Sequence, residues 1–205
     1  VAIVSRVPFT TQFSKSFCDK EDCRHISISL DGPKPITIHN LYVPSGGDEP
    51  DPKINEKFAH KLQFIDELES WFAKGSIPKG HEGIVVGDLN IAPLEHDVWS
   101  HKDLLKVVSH TPIETTGLNR VMTAGKWVDL MRQHTPASEK LYTWWSYRAK
   151  DWAQANRGRR LDHVWSTPGL SPFCKDITIL RKARGWTQTS DHVPVMATFD
   201  LKIQK

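Results

Sequence analysis

The chain has no run of 18 apolar residues, which leaves no candidate for a membrane-spanning helix. Its first residues, Val1-Ala2-Ile3-Val4-Ser5-Arg6, lack the basic-then-apolar-then-small order of a secretion signal. Both absences lead to the expectation of a soluble, cytoplasmic protein, nucleoid-associated if bacterial, with no membrane partner. Cysteine is scarce. Cys18, Cys23 and Cys174 are odd in number and form no CxxC pair, which argues against a disulfide framework or a structural zinc site and leaves three buried thiols as the expectation. There is no internal repeat and no low-complexity segment. The chain also begins without a methionine, inside what reads as a strand from Val1 to Ser5. It therefore reads as one domain over residues 1–205, incomplete at its N-terminus.

What is present is an apolar content of 39% over 205 residues, enough to bury a sizeable core. The net charge is only +3, but it is unevenly spread. Between Asp48 and Asp97 eleven Asp and Glu face five Lys and Arg; between Trp144 and Trp186 nine Lys and Arg face three Asp. Trp144, Trp145, Tyr147, Trp152, Trp165 and Trp186 interleave that basic stretch, a mixture suited to phosphate contacts with base or sugar stacking. A solvated basic face over a Trp-rich core has the same signature.

Cys23 to Leu30 alternates apolar and polar residues, breaks at Asp31-Gly32-Pro33, and resumes from Ile36 to Val43, the pattern of an antiparallel hairpin. Tyr42 falls at the rim of the second strand. Asp51-Pro52 offers a capping residue and a first-turn proline, and Phe58, Leu62, Ile65, Leu68 and Phe72 then recur at helical spacing until Lys74-Gly75. Ile84-Val85-Val86-Gly87 reads as a short buried strand, with Asp88 and Asn90 at its exit. Two apart on an extended backbone, they point the same way and can converge on one oxygen. Taken alone, Gly-Asp-x-Asn is equally an Asx turn. Pro93 to Trp99 reads as a surface loop, and Thr111-Pro112-Ile113-Glu114 as a capping box opening a helix that stops at Gly125. Asp129 lies among apolar residues and needs a hydrogen-bonding or cationic partner. Arg160 to Trp165, Ile177 to Leu180 and Val193 to Leu201 read as strands, with Ser190-Asp191-His192 before the last. Many strands with few helices between them imply an α+β fold with two sheets.

Together these motifs resemble the exonuclease–endonuclease–phosphatase superfamily, and longer stretches are similar to its exonuclease III branch of apurinic/apyrimidinic endonucleases. The stretches are Asn40 to Pro44, Gly87 to Pro93 through Trp99, Tyr142 to Trp145 through Asn156 to His163, Arg184-Gly185-Trp186, and Ser190 to Val195. The resemblance implies a four-layered α/β/β/α sandwich with two packed, mostly antiparallel sheets. It implies a Mg²⁺- or Mn²⁺-dependent enzyme, a monomer, that hydrolyses double-stranded DNA at abasic sites and 3′ ends.

By the same resemblance Asp88 activates or holds the attacking water and Asn90 orients it. His192 stabilises the phosphate, Asp162 positions His192, and Tyr42 bonds the scissile phosphate. Asp191, with Asp88 and Asn90, is metal-associated. Trp144 and Leu161 match the pocket for the abasic sugar, and Trp186, Arg157 and Arg159 contact substrate. Hard oxygen ligands suit Mg²⁺ or Mn²⁺ and offset the charge of a phosphodiester, while a preorganised His192 donor is worth ~3 kcal/mol.

Two departures stand out. The family's early Asn and principal metal-binding Glu have no counterpart, and Arg159 stands where some relatives place a tryptophan. The alternatives are a phosphatase or phosphodiesterase acting on small phosphate esters, and a catalytically silent nucleic-acid-binding relative.

Overall fold

The computed structural model describes residues 1–201; residues 202–205 of the expected domain lie outside the described residues. In chain order the elements are β1 (Thr11–Phe13), β2 (His25–Leu30), β3 (Ile36–Tyr42), α1 (Glu56–Ala73) and β4 (Glu82–Asp88). There follow α2 (His101–Leu104), α3 (Pro112–Ala124), β5 (Val128–Asp129), α4 (Leu130–His134) and β6 (Trp144–Trp145). The last third holds α5 (Trp152–Ala155), β7 (Gly158–Arg159), β8 (Asp162–Ser166), β9 (Cys174–Ile179) and β10 (Val195–Phe199). Val1 to Ser5 forms no strand, contrary to expectation, and Cys23 is exposed whereas Cys18 and Cys174 are buried.

One six-stranded sheet, in the order β1-β2-β3-β4-β8-β5, organises the chain. The β2–β3 hairpin is antiparallel, β3 and β4 are parallel across the α1 crossover, and β8 returns antiparallel to β4. Gly87 allows this close pairing. Its φ is +131°, and a Cβ there would fall on the carbonyl oxygen of Leu41.

Helices α1 and α3 cover one face of the sheet, where Phe64, Ile65, Leu68 and Phe72 pack with Leu41, Val85, Leu118 and Trp165. The helical stripe is as expected, but α1 starts later than Asp51-Pro52 suggests. Asp51 instead accepts from Lys53 N at 2.9 Å within a preceding turn, and Asn55 caps the helix by accepting from Lys57 N at 3.0 Å. Helix α3 opens on the expected capping box and ends at Gly125.

The antiparallel pair β9–β10 packs on the other face through Ile177, Val195, Ala197 and Phe199 against Val86 and Val164. The chain therefore has the expected α+β architecture with two packed, mostly antiparallel sheets. The outer side of β9–β10, with Lys175, Thr178 and Met196, is exposed, so the fourth, helical layer is not formed by the described residues. No helix among them is long and apolar enough to cross a membrane.

Pro93 to Trp99 is not a surface loop. Glu95–Asp97 forms a 3₁₀ turn, and the Asp97 side chain is wholly buried. The carboxylate needs cations at that depth, and it has two: Arg160 Nε and Nη2 donate to it at 2.7 and 2.8 Å, and Arg132 Nη2 at 2.5 Å. Asp129 completes the network by accepting from Arg160 Nη1 at 2.7 Å and from Arg132 N at 3.2 Å, the partners its setting called for. Burial raises the proton affinity of Asp97, but Arg160 and Arg132 outweigh it and hold the group below its ordinary pKa.

Because that pKa is lower in the folded than in the unfolded chain, the stabilisation is complete above about pH 4 and is lost as pH falls through the folded value. Asp97→Asn should cost about 3–5 kcal/mol near neutral pH by urea denaturation, with a gap from wild type that narrows on acidification below about pH 4.

Candidate active site

The pairing of β4 with β8 sets Asp88 opposite Asp162, and that of β3 with β4 sets Tyr42 beside Asp88. An isolated bridge between Trp144 and His192 brings in the C-terminal segment. His192 Nδ1 is 2.8 Å from Asp162 Oδ2, so that nitrogen donates to the carboxylate, while Nε2 lies 3.9 Å from Asp88 Oδ2. Asn90 takes a left-handed turn with φ of +53°, a conformation Asn tolerates better than most residues. Its backbone N donates to Asp88 Oδ1 at 2.9 Å, and its Nδ2 donates to Asp88 Oδ2 and to Val43 O. With both amide hydrogens committed, Oδ1 is the group Asn90 has free.

Two carboxylates facing one another in a partly buried site resist double ionisation. Burial, followed by the charge of Asp162, pushes Asp88 up to about 7. For His192, burial lowers the pKa, but the hydrogen bond and charge of Asp162, with Asp88 and Asp191, carry it above its ordinary value. The result is a compact set of proton-accepting and proton-donating groups.

Tyr42, Asp88, Asn90, Asp191 and His192 line one cleft of about 690 Å³, together with Trp144, Leu161, Arg157 and Arg159. Asp162 stands behind His192. Arg157 lies over the Trp99 ring at 4.7 Å and Arg159 over the Trp144 ring at 5.4 Å, so the basic and aromatic stretch forms a wall of this cleft. Trp186 is not brought there; it is 57% exposed and outside the lining.

The donors fit a hard divalent cation. One ligand atom each from Asp88, Asp162 and His192 lies within 4.8 Å of the others, and the set is dominated by carboxylate oxygens with no thiolate. Asp191 is outside that group. Its Oδ2 accepts from Trp144 Nε1 at 2.8 Å, and it faces the same cleft.

The pairing of Lys61 with Glu114 was missed, although Glu114 was expected in its capping box. Their side chains are fully buried and 2.5 Å apart, and Lys61 Nζ also donates to Asn90 O at 2.8 Å and Ser45 O at 3.2 Å. Glu114 in turn accepts from Ser109 N and Thr111 N, as well as closing the capping box. A signal existed, because Lys61 stands three residues after Phe58 and four before Ile65, on the apolar stripe of α1.

A model of the endonuclease/exonuclease/phosphatase family matches residues 1–192. Exodeoxyribonuclease III of Haemophilus influenzae is 29% identical over 171 residues, covering 80% of this chain and 61% of that protein. The exodeoxyribonuclease of Bacillus subtilis is 30% identical over 140 residues, covering 68% of this chain and 52% of that protein. The chain thus spans less than two thirds of the length of these curated relatives. Among solved structures, an AP endonuclease from Archaeoglobus fulgidus superposes with a TM-score of 0.80 at 30% identity, over 92% of this chain and 70% of that one.

Lys61→Met should destabilise the fold by about 3–5 kcal/mol, because Glu114 is left charged and unpaired in the core. Lys61→Met combined with Glu114→Gln should recover most of that loss, as read from the coupling in a urea-denaturation double-mutant cycle.

Proposed function

Because the chain belongs to the endonuclease/exonuclease/phosphatase family, we propose that it is an exodeoxyribonuclease III-like DNA repair nuclease. Its substrate is double-stranded DNA carrying an abasic site or a 3′ end, and it acts as a cytoplasmic monomer. The observation that carries the reading is the convergence of Asp88, Asp162 and His192 beside a cleft walled by tryptophan and arginine. The names of the relatives support a nuclease. A small phosphate ester needs no such extended aromatic and basic wall, which favours a polymer over the phosphatase alternative.

In this reading a phosphodiester enters with its anionic oxygens toward His192. Asp88 takes the proton of the attacking water, which the free Oδ1 of Asn90 holds in place by accepting its other hydrogen. The water oxygen bonds to phosphorus as the bond to the 3′ oxygen breaks, and that oxygen takes a proton from solvent to become a hydroxyl while Asp88 returns its own to solvent. One product carries a 3′-hydroxyl and the other the phosphate. Asp162 fixes the ring of His192 so that Nε2 faces the phosphate, and Tyr42 adds its hydroxyl from the rim of β3. Asp88, Asn90 and Asp191 would hold Mg²⁺ or Mn²⁺, which when bound supplies charge to offset the phosphate and its leaving oxygen. Trp144 and Leu161 would pack against the sugar, with Arg157 on the neighbouring backbone.

Asp88→Ala and His192→Ala should each lower turnover on a duplex with one abasic site by about 10²–10³-fold or more, while binding in fluorescence anisotropy is retained. Near-normal turnover in either variant would remove the role given to that residue. Hydrolysis of inositol phosphates with abasic duplex left intact would replace the nuclease reading with the phosphatase one. For the nuclease, affinity should also fall steeply with rising salt as counterions released on binding become less dilute.

A further inference from the structure

Strand β4 ends at Asp88, and beyond it the chain has no ladder to answer its carbonyl groups, although Asn90, Ile91 and Ala92 are all buried. Buried carbonyls still need donors. Three side chains from three parts of the fold supply them in succession. Lys61 Nζ of α1 donates to Asn90 O at 2.8 Å, His163 Nε2 of β8 to Ile91 O at 2.8 Å, and His110 Nδ1, from the segment before α3, to Ala92 O at 2.6 Å.

The other neighbours of the two imidazoles fix where their protons sit. A carbonyl only accepts, so His163 carries its proton on Nε2, while its Nδ1 accepts from Arg160 Nη1 at 3.1 Å, a group that only donates. His110 has the opposite tautomer. Its Nδ1 carries the proton toward Ala92 O, and its Nε2 accepts from His101 Nδ1 at 2.8 Å. Burial, followed by the charge of Arg160, pulls the pKa of His163 down to about 4, and burial lowers that of His110. Both rings are thus neutral donors held in one tautomer.

The backbone they grip is under constraint. Asn90 is left-handed, a region that a residue other than glycine enters at a cost and keeps when its surroundings over-determine it. On its N-terminal side the restraint is Asp88, which accepts from Asn90 N and Nδ2; on its C-terminal side it is the three answered carbonyls. Neither imidazole lines the cleft.

We infer that His163 and His110 are positioning residues, a pair of imidazole clamps on the Ile91 and Ala92 carbonyls that, with Lys61, hold Asn90 in its left-handed turn and fix the direction of its Oδ1. What Oδ1 does there, orienting the attacking water, rests on the nuclease reading. The clamp itself does not.

The test exploits the shapes of two amides. Glutamine places its nitrogen near the position of histidine Nε2, and asparagine near that of Nδ1. His163→Gln and His110→Asn should therefore keep their carbonyl bonds, while His163→Asn and His110→Gln should lose them. On a duplex with one abasic site, the first pair should keep kcat within about threefold of wild type and the second should lose about tenfold or more, with KM within about twofold throughout. Equal losses in all four variants, or no loss in any that circular dichroism shows to be folded, would overturn the inference.

NMR supplies the reading that needs neither metal nor substrate. In ¹⁵N-labelled wild type, His163 should show the Nε2–H tautomer and His110 the Nδ1–H tautomer at neutral pH, and the Asn90 Cα and Cβ shifts should report a left-handed backbone that the first pair keeps and the second loses. Reversed tautomers, or a left-handed Asn90 in all four variants, would overturn the clamp. The tautomers are read in the wild type, so they decide the matter even where a variant does not fold. A wild type that cleaves no duplex with Mg²⁺ would count against the nuclease reading, while these spectra still decide the clamp.

Discussion

Asp88 faces Asp162 across the β4–β8 ladder, and the rest of the site is arranged around that opposition of like charges. Directly opposed carboxylates disfavour a strand pair unless something offsets them. Here His192 lies between, 2.8 Å from Asp162 and 3.9 Å from Asp88, and its proton affinity rises in response. Two carboxylates this close together also make the site receptive to a cation. Gly87 is the local condition for all of this, since any side chain there would drive β4 away from β3.

Two buried charge networks hold the walls in register. Arg160, two residues before Asp162, ties the start of β8 to Asp97 and Asp129, and Lys61 ties the turn at Asn90 to α1 and α3. Buried ion pairs are poor sources of net stability compared with apolar packing of equal volume, but they are directional and costly to half-break. Their location fits that property. One fixes the backbone that presents Asp162, the other the backbone that presents Asn90.

Much of this was legible in the sequence, for identifiable reasons. Ile84-Val85-Val86 announced a strand by its β-branched run, and Thr111 to Glu114 announced a helix start by its capping chemistry. Asp88, Asn90, Asp162 and His192 stand at strand exits and entrances, where short polar motifs are visible against apolar runs. Asp97 was hidden because an irregular segment carries no periodicity, and its burial depends on Arg132 and Arg160, 35 and 63 residues away. Lys61 was hidden because a lysine in a helix is ordinarily solvated. The helix start at Asn55 was missed because Asp51-Pro52 satisfies the same local rule four residues earlier, and tertiary packing chose between them. Trp186 matched a family motif in sequence, yet the fold leaves it outside the cleft.

On the proposed nuclease function, Asp88 and His192, 104 positions apart, act on one phosphate in one step. A double-mutant cycle on kcat/KM for cleavage at a single abasic site tests it most directly. If the two side chains form one unit, combining Asp88→Ala with His192→Ala should cost about as much as the worse single change, as for groups that act together. Losses that multiply would show two independent contributions and contradict the shared site.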